Sequence, residues 1–146
     1  MELLGNDTPW EAVLGRGVPL VVHDPACPLT PAAFIAVTVD RAAVIDRVMV
    51  GSRPVTDTIK IAVSGRVGQT VDRDSLILVT SPVVLPMSVV ATLVGWPDLS
   101  DLAAWVSRLR MQHLVEFVPA PPLGRRVDDE SAVRLLEAIE TVPGRV

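Results

Sequence analysis

The sequence predicts an α/β layer with a mostly parallel sheet from which one β-hairpin projects, and three observations predict it. Apolar strand-like runs alternate with helix-periodic segments, as they do when helices cover a sheet. Val18 to His23 is continuously apolar and closes on His23-Asp24, the pattern of a buried parallel strand whose polar residues gather at its C-terminal end. Pro54 to Leu76, PVTDTIKIAVSGRVGQTVDRDSL, sets two β-prone runs, Thr58 to Val63 and Val67 to Val71, around Ser64-Gly65-Arg66, which reads as an antiparallel hairpin. One face of that ribbon is apolar. An isolated two-stranded ribbon is marginal in water, so it needs a second surface.

Asp7-Thr8-Pro9 opens a short helix through Leu14, and Gly15-Arg16-Gly17 ends it. After the strand Val18 to His23, Pro25 to Pro31 is a Pro-rich loop, and a helix runs from Pro31 to about Asp40. Val44 to Val50, continuing to Pro54, reads as the strand that feeds the hairpin. Leu76 to Thr80 is the next strand, ended by Ser81-Pro82, and Pro86 begins a helix to about Val94. In Asp98 to Arg110, Leu99, Leu102, Trp105, Val106 and Leu109 fall at helical spacing over a sheet. His113 to Val118 is a strand, Pro119 to Leu123 a stiff connector, and Asp128 to Thr141 a last helix with acids at its first turn, where the helix dipole favours them.

With 146 residues the chain reads as one domain, and its 49% hydrophobic content calls for a well-packed core or an adhesive interface. A net charge of -4 argues against a nucleic-acid binder. The single cysteine, Cys27, allows no intrachain disulfide, and a cytoplasmic setting follows as the expectation. The N-terminal residues lack the basic-then-apolar order of a secretory signal. The longest near-apolar run, Val83 to Trp96, is too short to span a bilayer and reads as a core helix.

In open α/β sheets, ligands sit outside the C-terminal strand ends, so Asp24 stands in the right kind of place for a site. Cys27 reads as a small buried residue, since one nearby histidine makes no triad. His113 has no ligand-spaced partner. Arg125-Arg126 is either solvated charge or a phosphate clamp, because guanidinium forks match phosphate geometry.

The hairpin also carries a resemblance. Asp57-Thr58-Ile59-Lys60 followed by Thr70-Val71-Asp72-Arg73 resembles the DTIK strand and TxxR return strand of 2-C-methyl-D-erythritol 4-phosphate cytidylyltransferases. The resemblance implies a partial Rossmann-like nucleotidyltransferase layer whose hairpin, about residues 55-75, is a dimerisation arm reaching into a partner subunit's site. His23-Asp24-Pro25-Ala26-Cys27-Pro28 resembles the family's HDAARP loop, with the acid kept at Asp24 and the arginine replaced by Cys27. Thr58 and Arg73 match the positions that hold methylerythritol phosphate across the dimer. Ser81-Pro82 stands for the start of Thr-Pro-Gln, with Val83 in place of the glutamine. Ser100-Asp101 is similar to part of a Thr-Asp-Asp segment, and Arg126 takes the place of a phosphate-binding lysine. The resemblance thus implies substrate binding by Asp24, Thr58, Arg73, Ser81 and Arg126, with a magnesium contact at Asp24 if activity is retained.

Nothing before Val18 resembles the family's AAGxGxR loop, which cradles the CTP phosphates, so residues 1-146 read as a single truncated domain matching its C-terminal two-thirds. Losing one cationic contact in phosphoryl transfer can cost roughly 10³ to 10⁵ in rate. The expectation is a degenerate cytidylyltransferase-like protein, inactive alone, acting as a homodimeric binding or regulatory module for a phosphorylated small molecule or a second protein chain. The alternative is cytidylyltransferase activity in isoprenoid precursor biosynthesis, completed by a separate nucleotide-binding chain. No nucleic-acid or membrane partner is expected. The edge of strand 18-23 is expected to be bare unless residues 1-14, a twin subunit or another chain covers it.

Overall fold

A computed structural model describes residues 4, 5, 7-55, 60-63, 66-70 and 76-141, with 60-63 and 66-70 described as backbone only. Its elements in chain order are α1 (Trp10–Leu14), β1 (Leu20–Val22), α2 (Ala32–Ile45), β2 (Val48–Pro54), β3 (Lys60–Val63), β4 (Arg66–Thr70), β5 (Ile77–Leu85), α3 (Met87–Val90), α4 (Leu102–Gln112), β6 (Val115–Pro119) and α5 (Glu130–Glu140). A 3₁₀ turn, Pro122–Gly124, follows β6.

Four strands form one sheet in the order β1-β5-β2-β6. The sheet is mixed and not mostly parallel: β5 runs antiparallel to both β1 and β2, and only β2 and β6 pair in parallel. The reason lies in the connection. A parallel partner needs a crossover that carries the chain back to the strand's starting end, usually through a helix. Between β2 and β5 the chain instead makes β3 and β4, so it re-enters the sheet from the end at which it left. β3 and β4 pair with each other as a separate two-stranded sheet, with Lys60 opposite Thr70 and Val63 opposite Arg66. Thr58, Arg73 and the Ser64-Gly65 turn lie outside the described residues.

Both faces of the four-stranded sheet are covered, which is why its strands are Val-rich without alternation. On one face α1, α3 and α4 bring Trp10, Val13, Val89, Val90, Trp105, Val106 and Leu109 onto Val48, Val50, Val83 and Leu85. On the other, Ala42 of α2 meets Met49 and Val84. α1 is bound in place by its indole, since Trp10 Nε1–H donates to the Leu93 carbonyl at 3.0 Å while Trp96 Nε1–H donates to the Thr8 carbonyl at 2.7 Å. The two rings meet edge to face at 5.5 Å.

Several boundaries differ from the sequence reading, among them the start of α4, which the Asp101 cap sets at Leu102 and not at Asp98, so that Leu99 stands outside the helix and exposed. α2 runs past Asp40 to Ile45, where a strand was expected to have begun at Val44, because the chain turns only at Asp46, whose left-handed φ of 51° closes the helix. Ser88 Oγ–H secures that turn by donating to Asp46 Oδ1 at 2.6 Å. β5 does not end at Thr80 but continues through the cis Ser81-Pro82 bond to Leu85. The helix expected from Pro86 to Val94 is a single turn, Met87–Val90. The apolar run from Val83 to Trp96 therefore begins as the end of β5, makes one helical turn and finishes as a loop, and periodicity alone does not separate a short buried strand from a buried helix. Among the described residues no helix is long and apolar enough to cross a membrane.

Candidate functional site

β1, β2 and β6 point the same way, so their C-terminal ends gather at one edge of the sheet. Asp24 follows β1, Arg53 is the last residue but one of β2, and the connector carrying Arg125-Arg126 follows β6. The antiparallel β5 brings Ser81 to the same edge by a local irregularity. Along β2, Val50 pairs with Val83 but the next residue, Gly51, pairs with Thr80, so Ser81 and Pro82 are left out of that ladder. A bulge of this kind re-aims a side chain that would otherwise follow the strand's alternation. It also spares Pro82 the ladder bond it cannot donate. Gly51 is required there: a Cβ on it would lie 2.5 Å from the Ser81 carbonyl oxygen.

Released from the ladder, Ser81 uses its hydroxyl as an acceptor: the Asp24 N–H donates to Ser81 Oγ at 2.6 Å. The loop after β1 then folds on itself. Ala26 N–H donates to Asp24 Oδ1 at 2.8 Å and Cys27 N–H to the Asp24 carbonyl at 2.9 Å. Asp24 Oδ2 is ion-paired with Arg126 Nη1, and the neighbouring Val127 N–H donates to the Ala26 carbonyl at 2.6 Å. Three of the five residues marked in the sequence, Asp24, Ser81 and Arg126, thus converge from three separate parts of the chain. The other two, Thr58 and Arg73, lie outside the described residues.

Cys27 is fully buried beneath this loop. Burial pushes its thiol up from the ordinary range, opposed by a hydrogen bond from the Ser81 backbone. A thiol kept protonated is a poor nucleophile and a poor metal ligand. A shallow depression beside Asp24 is lined by Val22, His23, Pro25, Leu99 and Leu102. A larger one, lined by Leu93, Trp105, Arg108, Leu109 and Gln112, contains none of the marked residues and is mostly the flank of α4. Asp101, part of the Ser100-Asp101 match, caps α4 by accepting from Ala104 N–H at 2.8 Å. Ser100 bonds instead to Asp98, whose carboxyl those bonds hold below the usual range.

Sequence reasoning missed Arg53. Its Nη1–H groups donate to the Ala120 carbonyl at 3.1 Å and to the Pro121 carbonyl at 3.0 Å. Burial, and after it the charge of Arg125, pushes the Arg53 guanidinium pKa down, so a second guanidinium stands close by. The only local signal was a cation at a strand end just before Pro54. Thr80 Oγ1, beside the bulge, is buried without a hydrogen-bond partner among the described residues.

These protein groups do not fit a magnesium site of their own. Both Asp24 oxygens already have partners, and among the described residues no three His, Cys, Asp or Glu side chains gather to hold a metal ion. Magnesium commonly takes one or two carboxylates and completes its shell with water and substrate phosphates.

A family profile described as "IspD: 2-C-methyl-D-erythritol 4-phosphate cytidylyltransferase" matches residues 10–94, more than half of the chain. The chain belongs to the 2-C-methyl-D-erythritol 4-phosphate cytidylyltransferase family. Solved cytidylyltransferase structures share its fold. A 4-diphosphocytidyl-2C-methyl-D-erythritol synthase superposes with a TM-score of 0.62 at 19% identity, over 89% of this chain and 60% of that one. The 2-C-methyl-D-erythritol 4-phosphate cytidylyltransferase of Thermus thermophilus gives 0.65 at 22%, over 90% and 67%. The bifunctional IspDF of Campylobacter jejuni gives 0.60 at 14%, over 92% and 36%. The chain thus spans about three-fifths of the first of these cytidylyltransferases. The sequence has no match among curated proteins.

Proposed function

We propose that these 146 residues form the acceptor side of a cytidylyltransferase-like site and act as a dimeric binding or regulatory module for a phosphorylated small molecule, without transferring CMP by themselves. The observation that carries this reading is the state of the loop after β1. Its acid, Asp24, is held by Arg126, and the position that the family fills with an arginine is a sealed, protonated thiol. Attack at the α-phosphorus of a nucleotide concentrates negative charge that positioned cations must meet. A buried thiol offers none. Arg126, half-exposed, supplies a guanidinium at the mouth of the site, held there by Asp24, whose loop the buried Ser81 hydroxyl positions.

Melting temperature reports the binding. Methylerythritol phosphate is expected to raise it and CTP is not, while incubation with both ligands and magnesium yields no CMP adduct. CMP transfer by the chain alone ends this reading.

A second reading, cytidylyltransferase activity completed by a separate nucleotide-binding chain, draws support from one observation: about two-fifths of the first aligned relative has no counterpart in the match to this chain. Activity that appears only when such a chain is added distinguishes it from the first.

A further inference from the structure

We infer that Arg53 is the positioning residue of the phosphate-facing arm: it pins the connector after β6 so that Arg126 is delivered to Asp24. The inference rests on the reading of Arg126 as a phosphate ligand, and adds to it a residue that neither the motifs nor the family resemblance marks.

Residues 120-127 have no regular ladder of their own. Their course is set by β2. Ala120 N–H donates to the Ser52 carbonyl at 2.8 Å, Ser52 Oγ–H to the Val118 carbonyl at 3.2 Å, and Arg53 Nη1 holds the carbonyls of Ala120 and Pro121. The 3₁₀ turn then folds back tightly, with Gly124 N–H donating to the Pro121 carbonyl at 2.9 Å and Gly124 buried against Ala120. From there the chain reaches Arg125, Arg126 and the Val127 bond to Ala26. Arg53 is thus the side chain at the root of the arm whose tip is Arg126.

Stability alone is a weak reason for an arginine here. Arg53 is partly buried and stands near the like charge of Arg125, and both disfavour a cation. A neutral amide could bond one carbonyl without that repulsion. What the guanidinium adds over the shorter amide is reach and charge-assisted hydrogen bonds, with which one nitrogen holds two successive carbonyls at once and so sets the direction in which the connector leaves the sheet.

The test is amide hydrogen exchange on the full chain, read at Val127, together with titration of inorganic phosphate followed by ³¹P line broadening. In Arg53→Gln, Val127 exchange is expected to accelerate roughly tenfold, as befits loss of a pinning pair of hydrogen bonds, while Val50 and Val84 in the sheet keep their rates. Phosphate affinity falls by a similar factor, and Arg53→Lys, which retains donors and charge, recovers part of both. Unchanged Val127 exchange, or equal acceleration at Val127, Val50 and Val84, overturns the inference. Phosphate that fails to bind the wild type, or binds Arg126→Ala equally well, removes the acceptor reading, whereas a selective Val127 response still establishes Arg53 as the residue that places the arm.

Discussion

Asp24 and Ser81, 57 residues apart in sequence, are joined by a 2.6 Å hydrogen bond from the Asp24 N–H to the Ser81 hydroxyl. It ties the loop after β1 to the bulge of β5, and so fixes where the Asp24 carboxylate stands when Arg126 reaches it. Ser81→Ala leaves a part-buried N–H without its acceptor, which costs about 1–3 kcal/mol. Urea unfolding should show that loss at an unchanged slope, and any ligand held by Asp24 should bind more weakly. A variant as stable as the wild type contradicts the role given to this bond.

Gly51 is the second support of the bulge. A Cβ there would fall 2.5 Å from the Ser81 carbonyl oxygen and 2.8 Å from its carbon, both backbone atoms that cannot step aside. Gly51→Ala should destabilise by roughly 1–3 kcal/mol through overpacking at the sheet centre. Thermal unfolding is the measurement, with Gly95→Ala, where a new Cβ meets nothing within 4 Å, as the control expected to change little.

Cys27 gives the chain a pH dependence with a definite sign. Burial raises its pKa above the ordinary 9.0, so the folded chain holds the thiol proton more tightly than the unfolded chain does. That contribution to stability is whole below 9.0 and is lost as pH rises through the folded-state value. Urea midpoints measured from pH 7 upward should fall on the alkaline side, and Cys27→Ala should flatten the fall. Alkylation of the native chain at neutral pH should be slow and become fast in urea.

If the ribbon of β3 and β4 binds a second copy, the chain has twice its monomer mass in light scattering at micromolar concentration. Replacing Ile61 and Val63 with lysine should return it to 15.6 kDa without lowering the melting temperature of the four-stranded body. A monomeric wild type removes the dimer from the proposed function.

The residues that announce the site were legible in the sequence. His23-Asp24 could be placed at a strand's C-terminal end because a continuous apolar run stops there, and Arg126 stood out as a paired cation before a helix capped by Asp129. Val44-Ile45 misled because β-branched residues suit strands, yet both are exposed residues of the last turn of α2, which closes only at Asp46. Ser81-Pro82 misled because proline ends most strands, and only a bulge opposite Gly51 lets β5 pass through it. Arg53 was invisible because its partners are main-chain carbonyls, which carry no side-chain signature at any spacing.

By itself the sequence determined an α/β layer, the order of its elements, the family and the identity of the marked residues, since all of these are written in local periodicity and short motifs. Tertiary structure alone decided the antiparallel course of β5, the displacement of Ser81 from the ladder and the meeting of Asp24 with Arg126. Each of those depends on which distant segment packs beside which, and pairing of that range leaves no mark on the residues next to one another in the chain.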